Sequence, residues 1–197
     1  MFFLVTGASG AGKSTVRRLL APRFEGLVET AELATLGITP EWSLSWRHRT
    51  LEYVVQQALQ AQRAGKHFLL CGDPVPPGEL LAVPSADRLG DVEVCLLDVS
   101  EEAQRRRLTA RGDDASLLPQ HVAFAEWMRH HVVDPRHRPY VITQNGWEEM
   151  RWDRWMNDHP EKKPWTSHVI DTTHLPPEDV AGQVAAWMQH HLGRAAR

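Results

Sequence analysis

Cysteine is scarce: the chain has two in 197 residues, Cys71 and Cys95, each inside an apolar run. Two thiols make no disulfide framework, and thiols in such runs pack as small hydrophobes, so a reducing, cytoplasmic setting is expected. Long hydrophobic runs are missing too. No stretch approaches the ~20 apolar residues of a membrane span, and the N-terminal MFFLVTG lacks a basic leader, so it reads as a core strand and not a signal peptide. Nor is there an excess of positive charge: 22 Lys and Arg against 25 Asp and Glu leave a net charge of -3. That removes the global field that would draw the chain onto nucleic acid or an anionic membrane. With no internal repeat, low-complexity tract or Gly/Ser/Pro-rich linker, residues 1–197 read as one domain, long enough for a sizeable core.

What is present is an alternation of short apolar runs and helical stripes. Phe2 to Val5 is a buried strand, and Ser14 to about Phe24 puts Val16, Leu19 and Leu20 on one helical face. A short run at Leu27 to Glu29 is followed by a helical stripe through Leu51, Val54, Val55, Ala58 and Leu59, then by a strand at His67 to Cys71. Val92 to Leu97 is another strand; Ser100 caps the next helix, Glu101 and Glu102 suit its first turn, and Gly112 stops it. Ser167 to Asp171 and a helix beginning at Pro177 complete the pattern. Five apolar strands joined by helical crossovers predict an α/β three-layer fold around a five-stranded parallel sheet. Residues 113–165 break the alternation and read as a helical insertion or lid, with helices near Gln120 to His131 and Trp147 to Asp158.

The run Gly7-Ala8-Ser9-Gly10-Ala11-Gly12-Lys13-Ser14 satisfies G-x-x-x-x-G-K-[ST] and sits between a strand and a helix. There, backbone N–H groups and the positive end of the helix dipole converge where phosphate oxygens can sit. Lys13 can reach the β- and γ-phosphates, and the Ser14 hydroxyl can ligate Mg²⁺. No N-K-x-D guanine-reading motif is present, and the third strand ends Cys71-Gly72-Asp73 rather than in paired acids, which points away from GTPases and motor ATPases.

The segments Val5 to Thr15, Cys95 to Gly112 and Val169 to Val180 resemble the nucleoside monophosphate kinase-like group of P-loop kinases, which includes shikimate, gluconate and adenylylsulfate kinases and chloramphenicol phosphotransferase. The resemblance covers well under half of the chain and does not extend to residues 113–165. It implies ATP and Mg²⁺ as cofactors, with Gly7 to Thr15 around the phosphates. It also implies a lid helix whose R-x-x-x-R pair, Arg107 and Arg111, meets charge developing on the transferred phosphoryl group. Arg105 or Arg106 would stack on the adenine, and the loop Thr172 to Pro176, with Thr173 and Leu175, would border it. The unresembling alternative for these arginines is a solvated basic helix paired with Glu101 and Glu102.

An acceptor hydroxyl benefits from a carboxylate at the carboxyl ends of the strands. Glu29 and Glu32 follow the second strand and Asp73 the third, the places where the resembled kinases keep their acids. Asp73 is expected as base or outer-sphere Mg²⁺ partner, and Glu32 as the substrate-hydroxyl ligand; the two roles are interchangeable at this stage. Trp42, Trp46, Arg47 and Arg49 precede the second helix, in the acceptor-clamping region of that group. Trp147, Trp152, Trp155 and Trp165 are expected to fill the insertion's core or a homodimer contact, with aromatic walls for a flat or sugar-like substrate as the alternative. The adjacent pairs His130/His131 and His190/His191 cannot share a metal ion and read as helix-surface residues.

The reading is a kinase for a small-molecule alcohol. A nucleoside, nucleotide or nucleic-acid-end kinase and a nucleotide-dependent regulatory NTPase are the alternatives, and the net charge argues against a nucleic-acid acceptor. Adenylate-type kinases carry an arginine just beyond the third strand to grip the acceptor phosphate. Here Gly72-Asp73-Pro74-Val75-Pro76-Pro77-Gly78 has no cation, so a neutral alcohol is expected over a nucleoside monophosphate.

Overall fold

The computed structural model describes residues 1–35, 43–156 and 164–195. Strands β1 (Phe2–Thr6), β2 (Val28–Ala31), β3 (His67–Cys71), β4 (Val92–Asp98) and β5 (Ser167–Asp171) form one parallel sheet in the order β2-β3-β1-β4-β5. Between and after them lie α1 (Lys13–Leu20), α2 (Leu44–Arg63), α3 (Pro77–Ala82), α4 (Glu101–Arg111), α5 (Leu118–His131), α6 (Tyr140–Thr143), α7 (Asp153–Met156) and α8 (Pro177–Ala195). This is the expected three-layer α/β architecture.

Strand alternation sorts the core into two slabs, because successive side chains point to opposite faces. Phe3, Val5, Leu69, Cys71, Cys95 and Leu97 pack against α1, α4 and α8, while Phe2, Leu4, Phe68, Leu70, Val94 and Leu96 pack against α2, α3 and α5. The register Val5↔Cys71 and Val5↔Cys95 brings the carboxyl ends of β1, β3 and β4 level, so the loops after them meet at one edge. Among the described residues no helix is long and apolar enough to cross a membrane.

Several expectations shift. The first helix ends at Leu20 and tightens into a 3₁₀ turn over Ala21–Phe24, because Pro22 supplies no N–H to continue the α ladder. The second strand runs Val28–Ala31, with an exposed Glu29, so its period-2 signal was too short to place from the apolar run. Ser43 caps α2 by accepting from the Trp46 N–H at 3.1 Å, which puts Trp46, Arg47 and Arg49 inside the helix and not before it. Trp42 and Asp158 lie outside the described residues. Over the described residues from Trp147 to Met156 there is no single helix: the Arg151 N–H donates to Ala82 O at 2.6 Å, and helical structure resumes only at Asp153.

The tryptophans of 113–165 join the main core. Trp155 and Trp165 are buried with Phe2 and Leu4 in one cluster, and Trp147 and Trp152 pack against it. His131 corrects the surface expectation: it is fully buried, stacked on Trp127 at 4.7 Å and edged by Trp155 and Trp165. Its neighbour His130 is exposed, since adjacent helical residues point about 100° apart. The His131 Nε2 accepts the Gly78 N–H at 3.3 Å, tying α5 to α3.

Burial pushes the His131 imidazole down to about 4. The unfolded chain, near the ordinary value of about 6.5, then takes up a proton that the folded chain refuses, so stability falls as pH drops from about 6.5 to about 4. We expect His131 to lower stability by about 2 kcal/mol at pH 5 relative to pH 7. Urea midpoints of the native protein and His131→Gln at the two pH values check this; an equal pH response in both proteins would refute it.

Candidate functional site

Three cavities run along the carboxyl edge of the sheet and share walls. The central one, ≈ 270 Å³, is lined by Ser9, Gly10, Gly12, Lys13, Ser14, Thr15, Gly72, Pro74, Arg107 and Arg111. On one side, Gly12, Thr15 and Arg107 also bound a ≈ 280 Å³ cavity formed with Ala11, Thr172 and Leu175. On the other, Ser9 and Pro74 also bound a ≈ 690 Å³ cavity whose walls include Leu33, Trp46, Arg47, Asp73 and Phe124.

The loop Gly7 to Gly12 takes its path from glycine. Gly7 has φ 143, and a Cβ there would fall 2.2 Å from Leu97 O, so only glycine lets β1 turn away this close to β4. Gly12 caps α1 at φ 96. Lys13, at the first position of α1, is 4% exposed, and its Nζ donates to Ala8 O at 2.8 Å. That is the single described acceptor for three N–H donors of a buried ammonium facing the central cavity. Burial lowers its pKa to about 8. An under-partnered buried cation beside a helix N-terminus suits phosphate oxygens.

The acids divide differently from expectation. Glu32 Oε1 accepts the Ser14 hydroxyl at 2.8 Å, and Oε2 accepts from Arg17 Nε and Nη2 at 3.1 and 2.9 Å. Glu32 therefore stands on the phosphate side, against Ser14, and is not among the walls of the large cavity. Asp73 is among them. Its Oδ2 accepts the Leu33 N–H at 2.5 Å, and burial raises its pKa, partly offset by that hydrogen bond. A carboxylate held by one oxygen, with its proton affinity raised by desolvation, suits proton acceptance. Ser14, Glu32 and Asp73 are the oxygen donors that fit Mg²⁺, directly or through water, as hard ligands beside the phosphate cavity. Glu29 is half-exposed and pairs with Lys66 at 2.9 Å on the far side of β2, away from all three cavities.

The arginines also separate. Arg107 reaches over the central cavity, its Nη1 donating to Gly10 O at 3.1 Å and Thr172 Oγ1 at 3.0 Å, and its Nη2 to Thr172 O at 2.5 Å. Arg111 lines the same cavity while paired with Asp113 at 2.5 Å. Arg105 pairs with Glu101 at 2.8 Å on an exposed face and lines none of these three cavities, which is the solvated-helix arrangement. Thr173 turns its hydroxyl to the Ser100 N–H at 2.9 Å, so Thr172 and Leu175 form the wall instead.

Of the acceptor-side residues, Trp46 and Arg47 line the large cavity, while Arg49 sits over the Trp147 ring at 5.4 Å. Arg47 donates from Nε to Glu79 at 2.6 Å and from Nη2 to Pro74 O. Glu79 is 1% exposed. Desolvation opposes its ionisation, but Arg47 and His48 outweigh that and hold its carboxyl below the ordinary range. Neither Arg17 nor Glu79 carried a sequence signal; each is recognisable only once β2, α2 and α3 are in place. Gln104 was also missed: it donates to Ser9 O at 2.9 Å and to His121 O at 3.2 Å, joining the phosphate loop to α5.

No family model matches the chain, and no curated protein matches it. Among solved structures, an unliganded sugar kinase from a Janibacter species is 20% identical with a TM-score of 0.55, over 95% of this chain and 94% of its own. The YorR protein of Bacillus subtilis, solved with phosphorylated GDP, is 13% identical with a TM-score of 0.56, over 97% and 98% of the two chains. At these identities the likeness shows the fold alone, a three-layer α/β fold around a five-stranded parallel sheet.

Gly72, at φ 145, is where the acids and the third strand meet: a Cβ there would lie 2.3 Å from Glu32 Cγ and Cδ. We expect Gly72→Ala to destabilise the protein by about 3 kcal/mol through backbone strain and overpacking. In a Glu32→Ala background only the strain remains, so the same substitution should have about half that effect. A double-mutant cycle on thermal unfolding measures the coupling, and additive effects would show that the clash is absent.

Proposed function

We propose that this protein is an ATP- and Mg²⁺-dependent kinase of the nucleoside monophosphate kinase-like group that transfers the γ-phosphoryl group to the hydroxyl of a small-molecule alcohol. The observation that carries this is the shared wall: Ser9 and Pro74 bound both the Lys13 cavity and the chamber containing Asp73. Donor and acceptor can meet there without crossing bulk water. The kinase fold of the neighbours supports the same reading.

The nucleoside end of ATP fits the cavity beside Thr172 and Leu175, and its phosphates fit against Lys13 and the amides of the loop. Bound Mg²⁺ would neutralise phosphate charge and align the oxygens. The acceptor hydroxyl hydrogen-bonds the free oxygen of Asp73. As its oxygen bonds to the γ-phosphorus and the bond to the ADP oxygen breaks, Asp73 takes the hydroxyl proton. Lys13 and Arg107 face the charge that spreads over the migrating group. Glu32 orients the Ser14 hydroxyl rather than the acceptor. Both thiols being buried and free agrees with a reducing, cytoplasmic location.

ADP release followed over a panel of alcohols tests the proposal. With an active alcohol, Asp73→Asn is expected to lower kcat by about 10²–10⁴ with ATP affinity unchanged, and Lys13→Ala to abolish transfer in a folded protein. Undiminished turnover in Asp73→Asn would remove its role as base, and undiminished turnover in Lys13→Ala would remove the kinase reading.

A further inference from the structure

The large cavity has two unlike sides. On the sheet side, Leu33, Trp46 and Pro74 surround Asp73. The opposite side is built by Leu117, Gln120, His121 and Phe124. Their spacing of three, four and seven residues from Leu117 makes one stripe along the entry and first turns of α5. This stripe is anchored. Phe124 leans on Trp127 at 5.3 Å, and the His121 carbonyl is held by Gln104, which also holds the phosphate loop.

Ser9, Arg47, Asp73, Gln120 and His121 place polar side chains in the cavity wall, but the surface it presents is mainly that of Leu33, Ala34, Trp46, Pro74, Leu117 and Phe124. Arg47 is the one lysine or arginine among the described wall residues, and its charge is balanced by the buried Glu79. A phosphorylated or carboxylated acceptor would meet Asp73 with no uncompensated lysine or arginine among the described wall residues to hold it. A polyol would set much of its hydroxyl surface against leucine, proline and aromatic side chains, with Ser9, Gln120 and His121 beside Asp73 and Arg47 as the described hydrogen-bond partners. A flat apolar body, by contrast, matches Trp46, Leu117 and Phe124, and a single hydroxyl matches Asp73.

We infer that the acceptor is an uncharged aromatic or fused-ring alcohol, and that the α5 stripe Leu117, Gln120, His121 and Phe124 sets this preference. The inference deepens the kinase reading by naming its substrate class, but the recognition surface is defined without the chemistry. A binding measurement therefore separates the two.

The experiment is isothermal titration of the full chain with naphthylethanol, biphenylmethanol, sucrose and AMP, alongside ADP release with each. The aromatic alcohols should bind at least about tenfold more tightly than sucrose or AMP. Leu117→Ser, at an exposed site that does not threaten the fold, and Phe124→Ser should each weaken them about fivefold or more, with the sucrose and AMP titrations unmoved. Sucrose binding as tightly as the aromatic alcohols would overturn the inference, as would AMP doing so with ADP saturating the Lys13 site, or a Leu117→Ser protein that binds the aromatic alcohols unchanged. Tight aromatic binding with no ADP release supports the stripe and overturns the kinase reading. ADP release with sucrose or AMP alone supports the kinase reading and overturns the stripe.

Discussion

The arrangement of the large cavity's α2 wall depends on one buried carboxylate. Glu79, in the first turn of α3, takes Arg47 of α2 at 2.6 Å and lies 3.6 Å from His48 of the same helix. The His48 Nδ1 in turn accepts the Trp147 N–H at 3.2 Å, from a segment about a hundred residues away in sequence. Three stretches of chain with no local reason to meet are thereby fixed around a single charge. A buried carboxylate is tolerated only when paired and hydrogen-bonded, so the contacts are mutually required. Removing Glu79 would leave a guanidinium at the cavity mouth with its charge uncompensated and the α2–α3 seam without its polar tie.

On the phosphate side the constraint is steric rather than electrostatic. Gly7 lets β1 pass under Leu97 O, and Gly72 leaves room for the Glu32 side chain to reach Ser14 and Arg17. The two glycines stand at the ends of β1 and β3, neighbours in the sheet, so the loop that cradles an anion and the acid that faces it are set by the same edge. Arg107 closes the remaining side by joining Gly10 O to the Thr172 carbonyl. The resulting cradle is assembled from ends of strands and starts of helices, where backbone groups are unpaired and chemistry can be placed without disturbing the core.

The central strands were legible in the sequence because strands buried on both faces read as continuous apolar runs, as in Phe2 to Val5 and Val92 to Leu97. The loop from Gly7 to Gly12 was legible for a different reason: its path needs backbone geometry that few residue types permit. Edges were harder. β2 carries a solvated Glu29 and Thr30, so its signal faded and its boundary moved by up to two residues. The spacing of Trp152 and Trp155 mimicked a helical stripe, yet the Arg151 N–H was taken by a carbonyl from the end of α3, a tertiary contact that no local pattern encodes. Asp73 and Glu32 were singled out as a pair, but that Asp73 lines the large cavity while Glu32 pairs with Arg17 depends on where the loop after β2 folds, which no local pattern encodes. The pairing of Arg47 with Glu79 spans 32 residues and left no trace in periodicity or composition.

The two thiols bear on how the protein can be observed. Cys71 donates its S–H to the Lys13 carbonyl at 3.3 Å, behind the phosphate loop, and burial pushes its pKa up to about 12. Cys95 is equally enclosed. Neither sulfur offers thiolate to an alkylating reagent or peroxide while the sheet is closed. Chemical labelling at these positions therefore reports opening of the central strands, and its rate becomes a clock for how often the phosphate loop comes away from the core.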